Sequence, residues 1–301
     1  MIARRRLILG AAAFALVPGG RSSGAVRGPR VDCHAVDCHA HVFTRDLPLL
    51  GDRRYAPAYD AGPGDYLSML DALGSGRGVL VQPSFLGTDN SFLLAVLRRH
   101  PDRLRGIVVV APDIAGADLR DMAKAGAVGV RLNLIGRRDP DLADPAWRRH
   151  LDRLAALGWQ VEIQVEARRL PGLLPPLLDR GLAVVIDHFG KPDPDLGVRD
   201  PGFQALLAAG ATGHVWVKLS APYRNGPRGA AIAAAAIPML RDHLGLDHLV
   251  WGSDWPHTQF EGRVETWRLR EDFNSWFLNH DDRIVVLSET PARLFQFSHP
   301  L

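Results

Sequence analysis

Cysteine is almost missing from this chain. Its 301 residues hold two, Cys33 and Cys38, five positions apart near the start. Neither a disulfide framework nor a four-cysteine zinc module can be built from that pair, so stability has to come from packing. A basic surplus is missing as well. The formal charge of +3 comes from 36 basic and 33 acidic residues, but Arg4, Arg5, Arg6 and Arg21 lie in an N-terminal stretch without acids, and without them 32 bases face 33 acids. Nucleic-acid binding through bulk charge is thereby disfavoured, because the phosphate-driven term needs Lys and Arg gathered on one face. No G-x-G-x-x-G follows the first strand-like run, and G-x-x-x-x-G-K-[ST] occurs nowhere, which argues against nucleotide binding.

What is present has globular proportions, with 47% apolar, 23% charged and 7% aromatic residues. These values exclude disordered, collagen-like and polytopic membrane chains. The length allows one large domain or two ordinary ones. Residues 2–25 read as a targeting signal: Arg4-Arg5-Arg6, an apolar run at 7–17, then Pro18-Gly19-Gly20 and the small-x-small stretch Ser23-Gly24-Ala25. Eleven apolar positions are too few for the roughly 20 helical residues that span a bilayer. The arginines before Leu7-Ile8 resemble a twin-arginine signal, which exports folded proteins. The expectation is a signal at 1–25, a linker at 26–35, one domain at 36–301 and a periplasmic location.

From there short β-branched runs alternate with amphipathic stretches. The runs are 36–43, 78–83, 105–111, 128–134, 160–166, 183–188, 214–220 and 248–254; the helical patterns between them include 66–73, 90–99, 145–157, 167–180, 203–208 and 232–244. Continuously apolar runs such as Ile107-Val108-Val109-Val110 suit a parallel sheet buried on both faces. Eight such units predict a single (β/α)8 TIM barrel, with an open doubly wound sheet as the alternative. Val31-Asp32-Cys33-His34-Ala35 is repeated at once as Val36-Asp37-Cys38-His39-Ala40. The second copy is the better strand, since only it continues to His41 and places two imidazoles at i and i+2 on one face; His34 reads as linker.

The polar residues that interrupt these runs collect at their ends: His39 and His41, Ser84, Arg131 and Asn133, Glu162 and Gln164, Asp187 and His188, Lys218 and Ser220, and Asp254 with His257. In a (β/α)8 barrel the C-terminal strand ends form the mouth where the chemistry sits. Arg131 interrupts the apolar run Val128-Gly129-Val130, and an Arg placed inside a strand needs an anionic partner.

His39-x-His41, His188 and Asp254 resemble the amidohydrolase superfamily. More closely, Val36-Asp37-Cys38-His39-Ala40-His41-Val42-Phe43, residues 81–90, Gly129-Val130-Arg131-Leu132-Asn133, Ile186-Asp187-His188-Phe189-Gly190-Lys191-Pro192, Trp251-Gly252-Ser253-Asp254-Trp255-Pro256-His257 and residues 290–295 resemble the branch that contains 2-pyrone-4,6-dicarboxylate lactonases. The resemblance implies a hydrolase that opens a small, carboxylated lactone. Asp254 would be the base that activates water, and His39, His41 and His188 would surround the carbonyl oxygen. It further implies that Arg131, Arg137 and Arg224 grip carboxylates through their planar donors, with Tyr55, Ser84, Thr88 and His257 adding neutral hydrogen bonds. Gln164 stands where pyrone lactonases tend to carry Tyr, a departure bearing on which lactone fits.

Binuclear members of the superfamily carry a bridging Lys or Glu on strand 4 and histidines on strands 5 and 6. Here strand 4 offers Arg131 and Asn133, and strand 5 has no His, so a binuclear centre is not expected. The pyrone-lactonase branch works without metal, which implies that no cofactor is required. The alternative is one zinc ion on His39, His41, His188 and Asp254. Two rival functions remain open at this stage: a metal-dependent amidohydrolase or related decarboxylase or hydratase, and an exported barrel that binds a small acid without turning it over. The partner expected is a small molecule, with no nucleic acid and no stable membrane insertion. The sequence leaves the oligomeric state open.

Overall fold

The computed structural model describes residues 32–297; the expected signal and residues 26–31 of the expected linker lie outside them. Eight parallel strands form one sheet in chain order: β1 (Asp32–Ala40), β2 (Ser75–Val81), β3 (Leu104–Val108), β4 (Ala127–Asn133), β5 (Gln160–Gln164), β6 (Val184–Ile186), β7 (Val215–Ser220) and β8 (Leu249–Gly252). The sheet closes on itself beyond β8, where His41 N donates to Trp255 O at 2.8 Å and Asp254 N donates to His39 O at 2.8 Å. Helices run between the strands: α1 (Pro63–Ala72), α2 (Ser91–Arg99), α3 (Gly116–Lys124), α4 (Pro145–Ala156), α5 (Leu170–Leu178), α6 (Pro201–Ala209) and α7 (Gly229–Leu244), with α8 (Thr266–Trp276) after β8. The expected (β/α)8 barrel is the observed one.

Local chemistry explains where helices start. Asp144 and Asp200 each sit before a proline and accept the backbone N–H two residues on, at 2.7 Å from Ala146 and 2.7 Å from Gly202. Proline at the first helical position donates nothing there, and the carboxylate satisfies the next orphan donor. α3 buries only Leu119, and α8 only Leu269 and Phe273, so both lie lightly on the sheet. Among the described residues no helix is long and apolar enough to cross a membrane.

The first strand departs from expectation. It begins at Asp32, inside the segment read as linker, so part of the first copy of the repeat also pairs with β2 (Asp32 opposite Ser75). Its register slips again between Asp37 and Ala40. One extra residue there resets the in/out alternation. Val36 and Cys38 therefore join the apolar plug at the barrel floor with Val79, Val81, Ile107, Val250, Phe295 and Phe297, while His39 and His41 face the mouth above it. The larger core lies between sheet and helices, where Leu, Val and Ile from both layers interdigitate.

Candidate active site

The catalytic candidates converge at the barrel mouth because the strands end sharply. His188 follows β6 at φ 53°, and Asp254 follows β8 at φ 59°. Non-glycine residues in that left-handed region cost about 1 kcal/mol or more, and here the turns bend both side chains over the mouth. The ring of His39 stands 5.0 Å from that of His41 and 4.9 Å from that of His188, edge-on to each. Asp254 Oδ1 lies 3.6 Å from His39 Nε2 and 3.8 Å from His41 Nε2. Buried Asp37 ties the seam together: it accepts from Ser253 N (2.7 Å), Ser253 Oγ (2.6 Å) and Tyr66 OH (3.2 Å), fixing β8 beside β1. Gly252 makes that approach feasible, since a Cβ there would stand 2.7 Å from His39 Cβ.

Asp254 is held asymmetrically. Its Oδ2 accepts from Tyr223 OH (2.5 Å) and Arg224 Nε (2.6 Å), whereas Oδ1 is buried without a hydrogen-bond partner. Burial opposes ionisation of this carboxyl, but the Arg224 guanidinium outweighs that and holds it well below the usual carboxylate range. Burial lowers His41 to about 4 and His188 to about 3, and it pushes His39 far down too. All three rings are therefore neutral at neutral pH. His41 Nδ1 donates to Val81 O at 2.7 Å, leaving a lone pair on Nε2; His188 Nδ1 is 2.8 Å from Ser220 Oγ.

Beneath the histidines runs a buried charged layer. Lys218 Nζ reaches Glu162 Oε1 (2.5 Å), His39 Nδ1 (3.1 Å) and Asp187 Oδ1 (3.5 Å). Arg131 Nη2 donates to Gln164 Oε1 (2.6 Å) and Asp187 Oδ2 (3.1 Å). Burial raises Glu162 to about 7 against the pull of Lys218. It acts on Asp187 in the same sense, but the neighbouring cations Lys218 and Arg131 oppose it and that carboxyl is held low.

A cavity of about 40 Å³ opens above Asp254, lined by His41, Tyr55, Ser84, Arg131, His188 and Arg224 from the expected set. His39 lies directly beneath, fully buried. Arg137 and Thr88 line a neighbouring cavity of about 310 Å³ that shares Ser84, Arg131 and Asn133 with the first, and Arg137 pairs with Asp52 at 3.5 Å. His257 lines neither; it braces Tyr223 OH (3.0 Å) and Thr266 Oγ1 (2.8 Å). Sequence reasoning passed over Arg54, Thr258, Gln259 and Tyr223. The first three line the site cavity, and Tyr223 holds Asp254. It also gave no role to Lys218, although a lysine inside the run Val215–Ser220 carries the same signal that marked Arg131.

The donor set fits a single divalent metal. One ligand atom each from His39, His188 and Asp254 lie within 4.8 Å of one another, and His39 Nε2, His188 Nε2 and Asp254 Oδ1 are buried and unpartnered. Two imidazoles and a carboxylate are ordinary zinc ligands.

An eight-stranded parallel barrel with histidines at the ends of strands 1 and 6 and an aspartate after strand 8 defines a hydrolase-type (β/α)8 enzyme. A family model described as amidohydrolase matches residues 36–297, and the chain belongs to that family. It is 32% identical to a 4-sulfomuconolactone hydrolase of Hydrogenophaga intermedia over 86% of this chain and 88% of the relative. It is likewise 32% identical to a 2-pyrone-4,6-dicarboxylate hydrolase of Comamonas testosteroni, over 79% of this chain and 82% of the relative. A crystal structure from Pseudomonas putida, described as a 2-pyrone-4,6-dicarboxylic acid hydrolase, superposes with a TM-score of 0.84 at 46% identity, covering 89% of this chain and 99% of the other.

Proposed function

We propose that this protein hydrolyses a small lactone carrying at least one anionic group, with Asp254 accepting the proton of the attacking water. One observation carries the reading: the unpartnered Oδ1 of a buried, ionised Asp254 faces neutral imidazoles, under a cavity lined by Arg54, Arg131 and Arg224. The relatives named above support it, since both named lactones bear a sulfo or carboxylate group.

In the chemistry we propose, the substrate's anionic group draws Arg224 away from Asp254 and restores basicity to the carboxylate. Arg54, Arg131 and Arg224 line a cavity of only about 40 Å³, so their displacement also makes room for the ring. Water between Asp254 and His41 gives a proton to Asp254 as its oxygen bonds to the lactone carbonyl carbon. His39 and His188 donate through Nε2 to the oxygen that becomes negative. Collapse breaks the ring C–O bond, and Asp254 returns its proton to the departing oxygen. A zinc ion held by His39, His188 and Asp254 would, when bound, polarise the carbonyl and acidify water.

Gln164 accepts from Arg131 and leaves no phenol at that wall, which favours a lactone other than the pyrone dicarboxylate. Screening lactones with and without carboxylate or sulfonate substituents for ring opening tests the reading. Opening of the anionic members is expected, and inertness toward the whole panel refutes it. We further propose export with cleavage after Ala25, on the sequence pattern alone; an intact Met1 on cytoplasmic protein would overturn that.

A further inference from the structure

Lys218 has no exposed surface, so its ammonium group must find all its acceptors inside the protein. Three lie in reach: Glu162 Oε1 at 2.5 Å, Asp187 Oδ1 at 3.5 Å and His39 Nδ1 at 3.1 Å. An ammonium has three hydrogens and no lone pair, so the third contact works only if Nδ1 of His39 is the acceptor. Asp187 Oδ1 competes for the same nitrogen from 3.3 Å, against 3.1 Å for Lys218 Nζ. The two partners demand opposite tautomers. Lysine requires the proton on Nε2, whereas the carboxylate would accept it on Nδ1, the arrangement by which second-shell carboxylates ready an imidazole for a metal.

We infer that Lys218 is a positioning residue that fixes His39 as its Nε2–H tautomer, turning a nitrogen of the metal-ligand type into a hydrogen-bond donor aimed at the reacting oxygen. His41 stands in the opposite form, because Val81 O holds its Nδ1–H. The His-x-His pair is thereby divided into one donor and one acceptor, and a cation seeking lone pairs from both rings meets a proton on one of them. A buried strand lysine thus decides whether a donor set sufficient for zinc is used for zinc. The inference rests on the catalytic centre proposed above, but its readouts are independent of turnover.

The direct test is ¹H–¹⁵N long-range NMR of the full-length protein at neutral pH, which reports which ring nitrogen of His39 carries the proton. Protonated Nε2 and bare Nδ1 are expected; protonated Nδ1 overturns the inference. The second test is zinc titration of the parent and of a Lys218→Met/Glu162→Gln double variant, which removes the buried pair together and leaves no new charge unpaired. Removing a control on one ligand should tighten zinc binding roughly 10–100-fold, while equal affinity in both proteins overturns it. If the variant fails to fold, the NMR result on the parent decides. If His39 proves Nε2–H while no lactone is opened, the tautomer assignment stands and the proposed substrate falls.

Discussion

Replacing Asp254 with asparagine separates two effects that usually move together. The amide keeps the shape of the carboxylate and can still accept from Tyr223 and Arg224, which now lie 2.5 and 2.6 Å from Oδ2. It cannot take a proton from water, so kcat should fall by about 10²–10⁴, the range for a positioned general base. Binding should move the other way. The amide leaves Arg224 a hydrogen bond but removes the charge–charge attraction, set at about 0.7–1.5 kcal/mol, half of the about 1.5–3 kcal/mol for a hydrogen bond to a charged group. Arg224 is mostly shielded, with 13% of its side chain exposed, so solvent weakens the pair little. Releasing it should therefore cost the variant about 0.7–1.5 kcal/mol less than the parent, or about 3- to 13-fold tighter binding of an anionic ligand. Removing a negative charge from a cavity that receives an anion pushes in the same direction. Calorimetry with a non-hydrolysable dicarboxylate measures the affinity, and ring opening measured by absorbance gives the rate. Weaker binding by Asp254→Asn, or a rate within tenfold of the parent, would refute the view that Arg224 shuttles between base and substrate.

Three further outcomes are expected. Arg131→Met strips the partner from Gln164 and one of two cations from Asp187, so the folded state should lose about 3 kcal/mol in urea unfolding, the lower end for a broken buried pair; a loss under about 1 kcal/mol would contradict that pairing. The ring of His41 should stay neutral in an NMR titration down to about pH 5 and protonate near 4. Because the unfolded chain then binds the extra proton first, this histidine's contribution to stability is present above its ordinary value of 6.5 and declines as pH falls toward 4; titration at 6.5 in the folded protein would show that burial does not control the ring. Gly252→Ala puts a methyl group 2.7 Å from His39 Cβ, an overpacking worth about 1–3 kcal/mol. Its melting temperature should drop, and kcat/KM should fall further than that of an alanine placed at exposed Gly172, where nothing lies within 4 Å.

The barrel was legible before any coordinates because its signals are local. Alternating apolar runs and helical stripes need only neighbouring residues, and each of the eight expected runs overlaps an observed strand. The start of β1 was misplaced because two identical copies of a pentapeptide have identical propensities, and only pairing with Ser75 and Arg77 of β2 sets how far the strand extends.

The identities of His39, His41, His188 and Asp254 could be read from the sequence because they interrupt apolar runs at strand ends. Their working states could not. A tautomer depends on which donor or acceptor faces the far ring nitrogen, and those partners, Val81 O and Lys218 Nζ, sit 40 and 179 positions away along the chain. The hold of Arg224 on Asp254, the displacement of Arg137 to a neighbouring cavity and the entry of Arg54 into the site likewise follow from how loops meet over a closed barrel. Residue order determined which chemical groups this protein carries to the mouth; packing decided their charges, their proton positions and which of them share a cavity, because electrostatic and hydrogen-bond energies depend on distance in space rather than on separation in sequence.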